Sequence, residues 1–317
     1  MSHSINGSVA HRPAVATTVR NGDVELAVFE QGNPAGPTLV LVHGWPDTHR
    51  LWDHVVPLLV DRFRVITYDT RGAGRSTSPT AVADYKLELL ASDLLTVVDA
   101  VGPGDPVHLL AHDWGSLESW EAVCSPRAQG RIASFTSTSG WCFDHLGQWM
   151  WRNLRQPTPS GVGKVLAQWA ASFYALLFHI PVVPEVVVGR LIAPRWPRFL
   201  ALFDRMDPAL ALPAATIGRD AANGLKRYRA NTGDRILRPR QRRTAVPVQL
   251  LVNTRDKAVL PYAFEETGRW ASDLRCSDVP AGHWSPLSHA GDVARLTAAF
   301  VLDVVARSGG DGATATA

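Results

Sequence analysis

The sequence predicts an α/β fold: a mostly parallel sheet with helices on both faces, interrupted by one helical insertion. Two observations carry the prediction. Short apolar runs of strand length alternate with segments of helical periodicity, an order that joins neighbouring strands in parallel and buries both faces of the sheet. Between Gly140 and about Arg235 the alternation stops; that stretch is rich in Trp, Pro and helix-like segments and holds no convincing strand. A length of 317 residues allows one large α/β domain with an inserted subdomain, or two modest domains.

In chain order, strands are expected at 24–29, 38–42, 64–68, 106–111, 131–137, 247–252 and near 274–279. Helices are expected at 51–60, 86–101, 116–123, 263–270 and 292–306. The helical cap is expected after the sixth strand, over the carboxyl ends of the strands, where open α/β sheets bind ligands. The division is therefore 1–139 for the first part of the core with a flexible N-terminal tail, 140–235 for the cap, and 236–317 for the second part of the core. The tail from Ser308 reads as disordered, because glycine and small polar residues fill it.

Composition narrows the class of protein. With 46% hydrophobic and 19% charged residues, the chain has the make-up of a soluble globular protein. A net charge of +3 is small for this length, so no nucleic-acid partner is expected. The one basic cluster, 235–243, reads as a solvated linker face. Cys124, Cys142 and Cys276 show neither metal spacing nor a disulfide framework, which fits a reducing, cytoplasmic setting. The N-terminus lacks the order of a secretory signal. The apolar stretch 169–189 reaches spanning length but contains His179, Pro181, Pro184 and Glu185, so no integral membrane segment is expected.

Chemistry concentrates at Ala111-His112-Asp113-Trp114-Gly115, which follows the apolar run 106–110. Small residues on either side let a strand turn tightly into a helix and lift the central side chain above the sheet edge. Asp113 in that position is a carboxylate that can attack carbon and form an alkyl ester; a bare helix N-cap is the other reading of the same residue. His43-Gly44-Trp45-Pro46 follows the strand 38–42, and the backbone N–H groups of Trp45 and Trp114 can converge as an oxyanion hole. Asp256 falls just past the strand 247–252, and His283 just past the last strand. Nucleophile, acid, histidine is the chain order of an α/β-hydrolase triad. Asp69 and His112 read as structural.

On these four elements, with the glycine-bearing turn Asp69-Thr70-Arg71-Gly72-Ala73-Gly74-Arg75-Ser76 after the strand 64–68 as a fifth, the chain resembles the α/β-hydrolase superfamily, and within it the epoxide hydrolases and haloalkane dehalogenases that use an aspartate nucleophile. The resemblance covers roughly residues 22–307. It departs at Ala111, where those families usually have glycine. The epoxide hydrolases hang two cap tyrosines over the nucleophile to receive the ring oxygen, and the contexts of Tyr174 (Ser172-Phe173-Tyr174) and Tyr228 (Lys226-Arg227-Tyr228) resemble those two motifs. Tyrosine suits that task because an alkoxide leaving group needs an acid better than water.

The resemblance implies an epoxide hydrolase acting through Asp113, His283, Asp256, Tyr174 and Tyr228, with no cofactor and no metal. The implied partner is a small apolar epoxide, suited to a Trp- and Leu-rich cap, and the reading admits a homodimer. Two alternatives stand beside it. A dehalogenase would use the same Asp113, with Trp114 and a cap tryptophan as halide donors and Asp144 as a displaced acid. A non-catalytic binder of the same fold would need no such set of three. The elbow offers no Ser or Cys for an esterase.

Overall fold

The computed structural model describes residues 15–314, so the N-terminal tail expected to be flexible lies outside the described residues. Eight strands form one sheet in the order β1-β2-β4-β3-β5-β6-β7-β8. They are β1 (Val15–Asn21), β2 (Val24–Gly32), β3 (Thr38–Val42), β4 (Arg64–Tyr68), β5 (Val107–His112), β6 (Ile132–Thr138), β7 (Val248–Asn253) and β8 (Leu274–Val279). The β1–β2 and β2–β4 pairings are antiparallel and every other pairing is parallel. The first strand is an addition to the expected set. Its sequence, Val-Ala-Thr-Thr-Val-Arg-Asn, is an exposed edge without an apolar run, which leaves periodicity nothing to register. With it, β6 is the sixth strand, and the cap follows it.

Adjacent residues of the central strands point into opposite cores. Val40, Val42, Ile66 and Leu109 pack on one side with α1 (Leu87–Val101) and α2 (Trp114–Val123). Leu39, Leu41, Val65 and Leu110 pack on the other, against helices that follow β8. This two-sided burial explains why the strands read as continuous apolar runs. The expected helices at 51–60 and 263–270 are instead separate 3-10 turns, His49–Trp52 and Val56–Leu58 in one case, Pro261–Phe264 and Thr267–Arg269 in the other. Pro57 removes a helical N–H from the first and Gly268 weakens the second.

The cap comprises α3 (Phe143–Arg155), α4 (Pro159–Ala171), the short α5 (Tyr174–Leu177) and α6 (Val183–Val186), α7 (Trp196–Phe203) and the long α8 (Ile217–Leu237). The core closes with α9 (Ser285–Ser288) and α10 (Ala290–Thr314). Because α10 runs on to Thr314, the backbone from Ser308 to that point is helical and not disordered. Propagation from an established helix adds a hydrogen bond per residue, which carries it past the glycines.

The arginine-rich run is only partly the solvated face expected: Arg238, Arg240 and Arg243 are exposed, but its charges are largely paired. Arg235 is buried and contacts Asp144 (3.3 Å), Glu121 (3.6 Å) and Glu88, while Arg240 and Arg242 also reach Glu121. Its acidic partners lie some ninety or more residues away in sequence, so only the tertiary structure pairs them. On the two flanks, α8 is tied to the core by Arg227 to Thr70 (2.6 Å) and by Asn231 to Leu87 and Tyr85 (2.9 Å each). Gln168 on α4 ties the cap to Ala258 (2.8 Å) and Leu260 (3.1 Å). Among the described residues no helix is long and apolar enough to cross a membrane.

Candidate active site

The strand order reverses where β3 lies between β4 and β5, so the loops leaving β3 and β5 meet at the carboxyl edge of the sheet. Asp113 stands in that crevice at φ 51°, ψ −124°, a backbone state that an L-residue adopts only when its surroundings enforce it. The surroundings explain the glycines. A Cβ on Gly115 would lie 2.3 Å from the carbonyl oxygen of Val42, and one on Gly44 would lie 2.3 Å from Asp113 Oδ1. Ala111 belongs to β5 and has no left-handed backbone to adopt, so alanine fits there.

Three loops bring their side chains together. The Trp45 N–H donates to Asp113 Oδ1 at 2.7 Å. His283 Nε2 lies 3.5 Å from Asp113 Oδ2, and its Nδ1 lies 2.9 Å from Asp256 Oδ2. Asp256 also accepts the N–H groups of Ala258 and Val259 at 2.8 and 2.9 Å. Burial alone would push the Asp256 carboxyl up, but His283 and those amides hold it below the usual carboxylate range. For His283, burial disfavours the charged ring; the Asp256 charge and hydrogen bonds to Asp113 and Asp256 outweigh it and hold the ring well above its ordinary value. The Trp114 N–H begins α2, where the first amides have no intrahelical partner.

The two cap tyrosines arrive from different helices. Tyr174 opens α5, and Tyr228 sits mid-way along α8 with its ring edge-on to Trp114 (4.8 Å), Phe178 (5.0 Å) and Trp45 (5.6 Å). Helix α8 can approach so closely because Gly224, one turn earlier, lies against the Trp45 indole, whose Nε1 donates to Ala221 O at 2.9 Å. Burial first, then the Asp113 charge, raises the Tyr174 phenol; burial, Tyr174 and Asp113 raise that of Tyr228 well above its ordinary value. Both hydroxyls are therefore proton-bearing donors at any ordinary pH.

Two apolar chambers, about 390 and 420 Å³, share Asp113, Tyr174, Tyr228 and His283 as common lining. Trp141, Phe143, Leu146 and Met150 wall the first; Phe178, Trp196, Phe199 and Trp284 wall the second. The four shared side chains thus sit at a waist between two greasy arms. All seven residues singled out from sequence (Asp113, His283, Asp256, Tyr174, Tyr228, Trp45 and Trp114) fall at or beside this waist. His112 supports it from below, its Nε2 2.9 Å from the His283 carbonyl oxygen. Asp69 organises the loop after β4, accepting from His49 N (3.0 Å) and Arg75 N (2.9 Å).

Two acids escaped the sequence reading. Asp204, just past α7, accepts the N–H groups of His283 (2.6 Å) and Trp284 (2.7 Å); a Cβ on Gly282 would strike its carboxylate. No local motif marks it, because it reaches its partners from the cap. Asp47 accepts from Trp284 Nε1 at 2.9 Å, and burial, opposed by that bond and reinforced by Asp113, pushes its carboxyl up to about 7. Its position directly after Trp45-Pro46 was the available signal.

Comparison with known proteins agrees with the architecture. Residues 37–290 match the alpha/beta hydrolase fold family, and the chain belongs to it. It is 42% identical over 271 residues to the probable oxidoreductase EphD of Mycobacterium tuberculosis, across 84% of this chain and 46% of that protein. The chain thus spans about half the length of that relative. Among solved structures it resembles an epoxide hydrolase of Bacillus megaterium in complex with an inhibitor, with TM-score 0.71, 18% identity, 90% of this chain and 99% of the other. It also resembles one of a set of epoxide hydrolases from metagenomes of hot environments, with TM-score 0.72, 23% identity, 90% of this chain and 98% of the other.

Proposed function

We propose that the protein is an epoxide hydrolase that converts an apolar epoxide, substituted on both ring carbons, to a vicinal diol. The observation that carries this reading is the convergence of two proton-bearing tyrosines, Tyr174 and Tyr228, on the carboxylate that also meets His283. An ester-forming carboxylate alone suits several electrophiles. A pair of phenols above it suits one whose leaving group stays attached as an oxygen. The two chambers support the substitution pattern, since an epoxide at the waist has room for one apolar arm in each. The family name shared by similar solved structures points the same way.

In this reading Asp113 Oδ2 attacks a ring carbon, the ring C–O bond breaks, and the oxygen takes a proton from a tyrosine, which solvent later restores. The resting His283 is flanked by two carboxylates. Esterification of Asp113 removes one negative charge, so the imidazolium loses part of what stabilises it and releases its proton to solvent. Neutral His283 then deprotonates a water that attacks the ester carbonyl carbon. Oδ1, already on the Trp45 N–H, carries the oxyanion with the Trp114 N–H as the second donor. Cleavage of the bond to the alkyl oxygen frees the diol, which takes the proton from His283. Asp113, left as the acid by the hydroxyl it gained from water, passes its own proton to His283 and restores the resting pair.

Intact-protein mass spectrometry of His283→Gln tests the scheme. With a panel of apolar epoxides, the variant is expected to gain the full mass of one epoxide on Asp113. For the wild type, a lower pH keeps His283 charged, so the ester should accumulate as pH falls during turnover. The dehalogenase reading has one observation in its favour: Trp141 Nε1 is a buried indole N–H beside the first chamber with no partner among the described residues. An alkyl halide adduct lighter by HX would decide for it, and folded His283→Gln with no adduct from either panel would point to a binder.

Asp204 positions the histidine loop in this scheme. Asp204→Ala should lower kcat on the order of 10²-fold through misplacement of His283, with ester formation less affected than ester hydrolysis. Equal losses in both half-reactions would assign it a purely structural part.

A further inference from the structure

The outer face of the cap departs from an ordinary protein surface. Between Trp169 and Leu191, ten large apolar side chains are exposed, among them Phe173, Leu176 (72%), Ile180 and Val182 (68%). An apolar face of this extent marks an interaction site. Val182 sharpens the point. It occupies the left-handed region at φ 68°, ψ −48°, with the Val183 N–H on Pro181 O at 2.8 Å. This three-residue turn is rare and is strained for a β-branched residue, and it holds an isopropyl group out into solvent.

The same segment forms the outer wall of both chambers. Trp169, Phe173 and Leu176 line the first, while Ile180, Val183 and Val187 line the second. Its charge is one-sided. From 165 to 203 the ionic side chains are Glu185, Arg190, Arg195 and Arg198. Glu185 is spoken for by Arg229 at 2.6 Å, whereas none of the three arginines has a carboxylate partner among the described residues. Arg190 shares a groove with Val182 and Val186. An apolar face with Arg190 in its groove and Arg195 on the Leu191 carbonyl oxygen (3.0 Å), neither held by a carboxylate, matches an anionic lipid bilayer, whose headgroups take the arginines and whose acyl region takes the apolar tips.

We propose that this face of the cap docks on an anionic bilayer surface and that the substrate passes from the lipid into the chambers. The second half of the statement rests on the epoxide hydrolase reading; docking itself does not.

Co-sedimentation of the purified full chain with sucrose-loaded vesicles tests it. The protein should pellet with phosphatidylcholine–phosphatidylglycerol vesicles, less with phosphatidylcholine alone, and less again at high salt. Val182→Asp with Leu191→Asp, two exposed positions outside the chamber walls, should abolish pelleting and leave turnover of a short water-soluble epoxide unchanged. Each of Arg190→Ala, Arg195→Ala and Arg198→Ala should weaken binding to anionic vesicles by about fivefold. Equal pelleting with and without vesicles overturns the proposal. So does vesicle binding that survives the double aspartate variant, or a dimer in sedimentation velocity that this variant dissolves in place of any vesicle binding, which would make the face a contact between copies. Because pelleting needs no turnover, failure of the His283→Gln trap leaves this result readable.

Discussion

Asp113→Asn is expected to abolish turnover with the fold intact, a loss of at least about 10⁴-fold in kcat. The amide keeps the shape of the carboxylate. Its oxygen can still accept the Trp45 N–H, now at 2.7 Å from Oδ1, and asparagine tolerates the positive φ of 51° as well as aspartate does. What disappears is the anion that the proposed mechanism uses to displace the ring oxygen. The variant also removes one of the two negative charges beside His283 and so frees that base, which separates loss of the nucleophile from loss of the base. Steady-state kinetics on an internal apolar epoxide, with circular dichroism and thermal unfolding as controls, make the comparison. Retention of kcat within about tenfold of wild type would remove Asp113 from the chemistry.

Tyr174→Phe combined with Tyr228→Phe should slow ester formation by about 10²–10⁴-fold, the range of a positioned general acid. Neither ring depends on its hydroxyl for packing: Tyr228 is held edge-on by three aromatic neighbours and Tyr174 by Phe178 at 5.4 Å. The two hydroxyls serve one oxygen, so each single variant should lose less than half of the double effect on a logarithmic scale. Because burial raises both phenols, the opening step should hold its rate into the alkaline range. The decisive reading is single-turnover ester formation followed by mass, since steady-state rates mix it with hydrolysis. A double variant that forms the ester at the wild-type rate would end the proposed role of the phenols.

The parts legible in the sequence were those written locally. The strand ends that carry Gly44, Asp113 and Asp256 are each announced by an apolar run followed by a short polar or glycine-bearing turn, whereas β8 before His283 is a half-exposed edge marked chiefly by the Ala281-Gly282 turn after it; all four meet at one edge of the sheet. The edge strand β1 was not legible, because an exposed strand needs no apolar side chains. Nor were the turns around Pro57 and Gly268, where amphipathic spacing survives without a continuous helix. The partners of Arg235 and Arg240, and the grip of Asp204 on the His283 loop, join residues 79 or more apart. Spacing along a chain carries no information about such pairs. The two chambers belong to this last kind as well, since each is walled by both cap and core.

The attachments of the cap have a kinetic consequence. Gln168 fastens it beside the Asp256 loop, Arg227 and Asn231 fasten it on the opposite flank, and the Arg235–Arg240 cluster fastens it where the chain returns to the sheet. A roof riveted at three points is expected to resist swinging as a unit. Under the proposed epoxide hydrolysis, traffic of substrate and diol is then expected through rotations of exposed side chains at the mouths of the chambers, which are picosecond-to-nanosecond events, and not through the far slower hinge motions of domains. Product residence is set by how well each arm of the diol fits its chamber, so lengthening the arms should shift the slow step from ester hydrolysis to departure.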